Sequence, residues 1–496
     1  MSFDVTANRR VGPDLLITLP VLFLVIFALP WIAFRVAYQQ YVPLIVGVLI
    51  VADICFTFAW WRASVYLFAA YVLVEGFLVN AYALPALNLL KDVQLLLIFF
   101  RLALSLVARR MFPVPHTGWV VPYFMFAVYY VAEIFNPLLP SLLVGLIGAR
   151  VTLLYFLCFV VGFWFFSDRA QIFRFLWFHN LLSIPVSAFG IVQYFTGPEL
   201  LLRISPGFSR AIFYANDPRN PQAGFYFRTI STFASSAGLS QYLWVASILS
   251  LALLMIAKRP LDKILVGVAL LAQACATLST GGRGPFILLF VCVFFAFWLM
   301  GRLRQAFLAT ALLMACLFVS VIFLGPMVQA RFVTIFDFEM VRDRNMSLAV
   351  GEFGNSMDSP IVGLGAGRGC AATARMFPDL EIAGSENQFA RIRNEGGFAG
   401  LTLFLVLTAA ILLETWRTTK ILRDPELKIV GCLVASFCLV NIFIFPIGQP
   451  LDIPPTNFYF WLFLGLLHAL IGIQDAASCA DGQPASPVRG AWSWVR

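Results

Sequence analysis

Arginines in glycine-rich and loop settings are the residues best suited to chemistry in this sequence. The segment Leu278-Ser279-Thr280-Gly281-Gly282-Arg283-Gly284-Pro285 sets one cation among three glycines. Glycine lets backbone N–H groups approach an anion, and a guanidinium grips phosphate through parallel N–H···O bonds. The plainer alternative is a tight turn whose arginine snorkels to the membrane surface. A second candidate is Arg228, in Phe227-Arg228-Thr229-Ile230-Ser231-Thr232-Phe233, where the hydroxyls can cap a helix expected to start near Ala237. Arg150, in Gly148-Ala149-Arg150, falls inside an apolar run, and an ionisable group there is a functional candidate by default. Asp53, Glu75, Arg101 and Glu133 also fall inside such runs, so pairing of Arg150 or Arg101 with one of these acids to hold helices together stays open. The last cluster, Ser385-Glu386-Asn387-Gln388-Phe389-Ala390-Arg391-Ile392-Arg393-Asn394-Glu395, crowds acids, arginines and amides ahead of an apolar run. It suits a polar substrate, and a charged interfacial collar would look the same.

Apolar runs must position these groups. The chain has 496 residues, 61% hydrophobic and 12% charged, against about 25% charged in soluble domains. Runs of roughly 18 or more apolar residues span a bilayer as helices. Such runs are expected at 15–34, 41–60, 64–80, 92–108, 118–135, 142–166, 174–194, 237–257, 262–279, 285–300, 306–324, 397–414, 428–446 and 456–473. The fold expected is therefore an all-α, polytopic transmembrane bundle of about 12 to 14 helices, with 92–108 a spanning or re-entrant segment. Residues 1–14 are polar, and the run after them is expected to be a first helix rather than a cleaved leader.

Lys and Arg in short loops stay in the cytoplasm. Alternate loops carry Arg9 and Arg10, Arg62, Arg109 and Arg110, Arg169 and Arg174, Lys258 to Lys263, Arg302 and Arg304, and Arg417 to Lys428, whereas the short loops between hold only Arg35, Lys91 and Arg283. Both termini are therefore expected in the cytoplasm. The same alternation divides the chain into N-terminal helices over 1–194, a long extracytoplasmic loop over 195–236, central helices over 237–324, a second such loop over 325–396, C-terminal helices over 397–473 and a disordered tail over 474–496. The two long loops contain Pro, Gly, Asn and aromatics, as a cap with short helices would. His116, His179 and His468 fall at or near the cytoplasmic face, so chemistry outside must use other groups. The net charge of +9 is topological and implies no nucleic acid. Seven of nine cysteines lie in apolar runs, with Cys370 in a loop and Cys479 in the tail, so neither disulfides nor a metal site is expected. No repeat relates the two halves, which counts against a transporter.

In order and spacing, these segments resemble the O-antigen polymerases (Wzy type) and O-antigen ligases, including exopolysaccharide polymerases, over roughly 140–415. The resemblance is carried by the Gly-x-Arg ending at Arg150, Arg228 before Ser231-Thr232-Phe233, and Leu278-Ser279 with Arg283-Gly284. It continues through Ser359-Pro360-Ile361-Val362-Gly363-Leu364-Gly365, like the family's Pro-Leu-x-Gly-x-Gly. Asn387, Glu395, Gly397, Gly400 and Leu401 stand at the offsets of its His-Asn-x-x-Leu … Glu-x-Gly-x-x-Gly-Leu pattern, where Glu386 replaces the histidine.

The resemblance implies a glycosyltransferase of the bacterial inner membrane whose site faces the periplasm, acting without cofactor or metal on a polyprenyl-pyrophosphate-linked glycan donor and a glycan acceptor. Membrane lipid, a chain-length regulator and export proteins are the other implied partners. By that analogy Arg228 and Arg283 bind pyrophosphate with help from Arg150, and Glu386 takes the acceptor proton. Asn387 orients the sugar, and Arg391, Arg393 and Glu395 complete the substrate-binding cluster. Arginine suits the role because it stays charged at any physiological pH. Polymerase is the leading expectation, because the histidine on which the ligase reaction relies is replaced. A ligase of the same fold is the nearest alternative. A flippase or transporter lined by Asp53, Glu75, Arg101 and Arg150 is a reading from another class, and a scaffold protein is a third.

Overall fold

The computed structural model describes residues 41–82, 87–112, 114–115, 117–209, 212, 227–282, 284–326, 328–329, 338–377 and 385–480. The described chain is an all-α, multi-pass bundle, with nine helices long and apolar enough to cross a membrane and three shorter apolar ones. The first expected span, 15–34, lies outside the described residues, as does His116.

Two compact units divide the chain. In the first, α1 (Tyr41–Ala59) packs against α3 (Leu87–Ala108), joined by the first half of α2 (Trp61–Tyr82). Apolar helices in lipid associate through packing and polar pairs rather than through water exclusion, and this unit uses both kinds of polar pair. Gln94 donates to Asp53 at 3.3 Å, and Arg101 donates to the Phe58 carbonyl at 2.8 Å and to the Ser105 hydroxyl. Asp53 and Arg101 thus each serve a helix contact. The segment 92–108 belongs to one continuous helix.

The second unit holds α4 (Val120–Ala132), α5 (Leu142–Leu153), α6 (Phe156–Phe165), α7 (Arg169–Thr196), α8 (Glu199–Ile204), α9 (Ser236–Ile256), α10 (Pro260–Ser279), α11 (Gly284–Leu299) and α12 (Leu303–Leu324). It continues with α13 (Phe338–Met346), prolonged by a π turn over Ser347–Glu352, then α14 (Ala371–Met376), α15 (Gln388–Ile421), α16 (Pro425–Phe443) and α17 (Thr456–Ala480), which belongs to this unit as far as Gln474. The core sits along α9, α16 and α17, which are buried along most of their length. By contrast α12 exposes Leu308, Phe318, Ile322 and Phe323, an apolar surface suited to lipid. Short helices occur in both long loops, α8 in the first and α13 and α14 in the second.

The expected span 142–166 is one apolar crossing, Leu142–Phe165, with α5 and α6 separated only by a two-residue turn. Two helix ends differ from the sequence-based expectation: the helix expected from 397 starts nine residues earlier at Gln388, and α17 continues past Gln474 to Ala480. The last has a physical reason: the Gln474 carboxamide accepts the backbone N–H groups of Arg423 and Asp424 at 2.6 and 3.1 Å, capping the end of the neighbouring loop.

Candidate functional site

Two clusters of the expected residues form at connected places in the second unit. The first is built where α10 ends. Thr280 turns its hydroxyl back on the Thr277 carbonyl at 2.6 Å, and Gly281 follows at φ +66°, the left-handed conformation that closes helices. The Gly282 N–H then donates to the Thr280 hydroxyl at 3.0 Å. Arg283 itself lies outside the described residues. Against this turn lies the segment 227–235, which leads into α9. Arg228 Nε donates to the Thr280 carbonyl at 3.0 Å. Thr229 donates its N–H to the Ser279 carbonyl at 3.2 Å, and their hydroxyls pair at 2.7 Å. Arg228 is thereby held on the glycine-rich turn at Thr280, which lies three residues before Arg283 in sequence. Ser235 then caps α9 by accepting the Gly238 N–H.

The second cluster is a break in α15. Asn387 caps this helix, its Oδ1 accepting the N–H groups of Phe389 and Ala390 at 2.9 and 3.0 Å, while its Nδ2 donates to the Leu348 carbonyl. Ten residues later Gly397 adopts φ +62° and the helix restarts. A side chain at this position would be strained by the backbone and would overlap the Ile361 carbonyl. The groups freed by the break are taken by the loop over 359–369. Leu364 N–H donates to the Asn394 carbonyl at 2.7 Å, Gly365 N–H to the Glu395 carbonyl at 3.0 Å, and Phe398 N–H to the Ile361 carbonyl at 3.0 Å. That loop turns through Gly363, Gly365 and Gly367, all at positive φ, and Gly367 lies directly against Gly148 of α5. The Pro-x-x-Gly-x-Gly stretch and the Glu-x-Gly-x-x-Gly stretch are thus two halves of one packed joint, as non-helical backbone within a bundle requires.

The charged side chains of α15 are used inside this joint. Arg393, 1% exposed, donates to the carbonyls of Pro360 and Ser359 at 2.9 and 3.0 Å and stacks 4.1 Å from the Phe398 ring. Arg391, also 1% exposed, donates to Glu395 at 3.2 Å, to Asp452, and to the Thr152 hydroxyl at 2.7 Å. Glu395 further accepts the Tyr130 hydroxyl and the Gly369 N–H at 3.0 Å. Burial pushes the Asp452 carboxyl up from its ordinary value, and the Arg391 guanidinium against it pulls the other way. Burial first, then the Asp452 charge, pushes the Cys370 thiol up to about 11, so it is not a nucleophile at neutral pH.

Glu386 is placed differently. Its side chain is 67% exposed and pairs with Arg344 of α13 at 3.5 Å. Glu352 holds the stretch that carries it, accepting from the Ser385 hydroxyl at 2.6 Å and the Asn387 N–H at 2.9 Å. Arg150 is half-buried on α5, two residues after Gly148 and two before Thr152; those two share the helix face that meets the joint, and a residue midway between them lies on another face. The two clusters are linked through the loop between α16 and α17. Asp452 meets Arg391, Gly238 lies against the Pro454 carbonyl, Thr456 pairs with Gln241 at 3.3 Å, and Gly282 lies against Ser240. Among the described residues, no group of three or more His, Cys, Asp or Glu is placed to hold a metal ion.

Sequence reasoning missed Tyr130, Thr152, Asp452 and Gln193, the last clamping the backbone at 230–231 from α7. One signal was legible: Asp452 is the only Asp, Glu, Lys or Arg between Lys428 and Asp475, and a lone charge in so apolar a stretch needs a partner. Tyr130, Thr152 and Gln193 carry no such mark. No family model and no curated protein matches the chain.

Proposed function

We propose that this membrane protein is a glycosyltransferase that joins glycan repeat units carried on a polyprenyl pyrophosphate, at the periplasmic face of a bacterial inner membrane with both termini in the cytoplasm. The observation that carries the reading is the hydrogen bond from Arg228 Nε to the Thr280 carbonyl, which sets one arginine on the glycine-rich turn that bears another. Two arginines belonging to one glycine-rich turn suit a pyrophosphate leaving group. In the reaction the acceptor hydroxyl attacks the anomeric carbon and the bond to the pyrophosphate oxygen breaks. Arg228 and Arg283 neutralise the charge gathering on the departing lipid pyrophosphate, and the hydroxyl proton passes to Glu386. The exposed position of Glu386, with hydrogen-bonded backbone around it and Arg344 beside it, suits a base that an acceptor can reach. Arg391, Arg393 and Glu395 hold the broken helix in this reading, and Asn387 caps it, so none of the four is assigned to the sugar.

Cells in which Arg228 is replaced by Ala are expected to accumulate single repeat units on the lipid carrier and to lose long polymer. Full-length polymer left unattached to its final acceptor would favour the ligase instead. Purified protein that moves lipid-linked sugar across vesicles without elongating it would refute the enzyme in favour of a transporter.

A further inference from the structure

We propose that Gln193 is a positioning residue for Arg228, acting through the backbone of Ile230 and Ser231. The inference rests on the reading of Arg228 as a pyrophosphate ligand. Gln193 sits one turn from the end of α7 and is fully buried. Its carboxamide is directed entirely at the segment that carries Arg228. Oε1 accepts the N–H groups of Ile230 and Ser231 at 3.3 and 2.8 Å, and Nε2 donates to the Ser231 carbonyl at 3.1 Å. The residue so clamped is in an uncommon conformation: Ser231 has φ +48° without being glycine, and a non-glycine residue persists there only when its surroundings over-determine it. The Ser231 hydroxyl adds a second tie to α7, donating to the Val186 carbonyl at 2.7 Å.

The opposite edge of the same segment is tied to the glycine-rich turn through Thr229, Ser279 and the bond from Arg228 to Thr280. Residues 228–231 therefore lie between two anchors. One is the α10 turn, which must bind the anion. The other is Gln193, which fixes how the segment meets that turn. Loss of the carboxamide leaves two buried N–H groups and one carbonyl without these partners, and backbone groups in that condition move until they find others. Ser231 then relaxes towards an ordinary conformation, and the hinge this creates lies three residues from Arg228. Gln193 touches no part of a substrate in this account, so the headgroup site is altered while the path for the lipid tail is not.

The test uses the full-length protein in nanodiscs and two probes, undecaprenyl pyrophosphate and undecaprenol, which differ only in the headgroup. Gln193→Leu is expected to weaken pyrophosphate-lipid binding about tenfold, in the range of couplings between residues sharing one network, and to leave undecaprenol binding unchanged. In an Arg228→Ala background the same substitution is expected to add little. Gln193→Glu keeps the shape and both acceptor bonds but loses the donor to Ser231, so its effect should be intermediate; it also serves if the leucine variant does not fold. Equal weakening of both lipids, or full additivity with Arg228→Ala, overturns the inference. So does unchanged pyrophosphate binding in Gln193→Leu beside weakened binding in Arg228→Ala, which leaves the reading of Arg228 standing. Unchanged binding in Arg228→Ala overturns that reading, and this inference with it.

Discussion

Replacement of Arg391 by Met separates an architectural arginine from a substrate-binding one. The guanidinium is 1% exposed and makes three bonds, to Glu395, Asp452 and Thr152, two of them to buried carboxylates. Methionine fills much the same volume but leaves Glu395 and Asp452 facing each other without a cation. Removing one partner of a buried ion pair costs about 3–5 kcal/mol, because the remaining charge is stranded in a medium that solvates it poorly. Two stranded carboxylates place this variant at the upper end of that range at neutral pH.

The pH dependence has a definite sign. Burial already raises Asp452, and without Arg391 the opposing pull is gone, so the folded-state value stands further above the unfolded one. The folded protein then binds more protons than the unfolded one between those two values, and stability falls as pH rises through that window. The defect should be largest at pH 8 and shrink towards pH 5. Thermal melting of purified protein in detergent, followed by fluorescence-detected gel filtration, measures it, and a drop of several degrees at pH 8 is expected. The triple variant Arg391→Met, Glu395→Gln, Asp452→Asn removes all three charges and should recover part of the loss. An Arg391→Met protein that melts like wild type at pH 8 yet fails to bind lipid-linked substrate would refute this account and return Arg391 to the substrate.

Gly397→Ala is expected to destabilise more than an ordinary helix substitution, by about 1–3 kcal/mol for the left-handed backbone alone, with the overlap against the Ile361 carbonyl in addition; a melting temperature equal to wild type would show that the joint is not tight. Cys370 is buried with its thiol pushed up to about 11, so maleimide labelling of the folded protein at pH 7 should spare it and unfolding should expose it; prompt labelling in the native state contradicts its burial. Glu386→Gln, at an exposed position, is expected to leave the melting temperature within about 1 °C, since surface substitutions rarely matter to stability, and to lower polymer output about a hundredfold, the scale of a lost general base. Normal polymer from a stable Glu386→Gln protein would remove Glu386 from the mechanism.

The arginines illustrate how far sequence reading reaches. Arg228, Arg391 and Arg393 all stand out as cations near apolar runs, and nothing in their spacing separates them. What differs is the partner: Arg393 faces two carbonyls, Arg391 two carboxylates, and Arg228 a carbonyl at the rim of a glycine turn. Apart from Glu395, four residues from Arg391, those partners come from 33 to 61 residues away along the chain, beyond the range over which a local pattern carries information. Arg101, for which pairing with an intramembrane acid is an open alternative from sequence alone, likewise bonds the Phe58 carbonyl, which no side-chain pattern records.

By itself the sequence determined that this chain is a multi-pass helical membrane protein. Apolar length is a local property, and lipid leaves a spanning backbone no alternative to satisfying its own hydrogen bonds within the helix. It also marked the glycine-rich stretches, because positions that need positive φ or close approach select glycine wherever they occur. Only the tertiary structure decided that 359–367 and 394–398 are one joint, that Asp452 closes the Arg391 pair, and that Gln193 grips Ser231. Each of those facts depends on which distant groups come within about 3 Å of one another, and that is fixed by packing of the whole bundle rather than by any stretch of its chain.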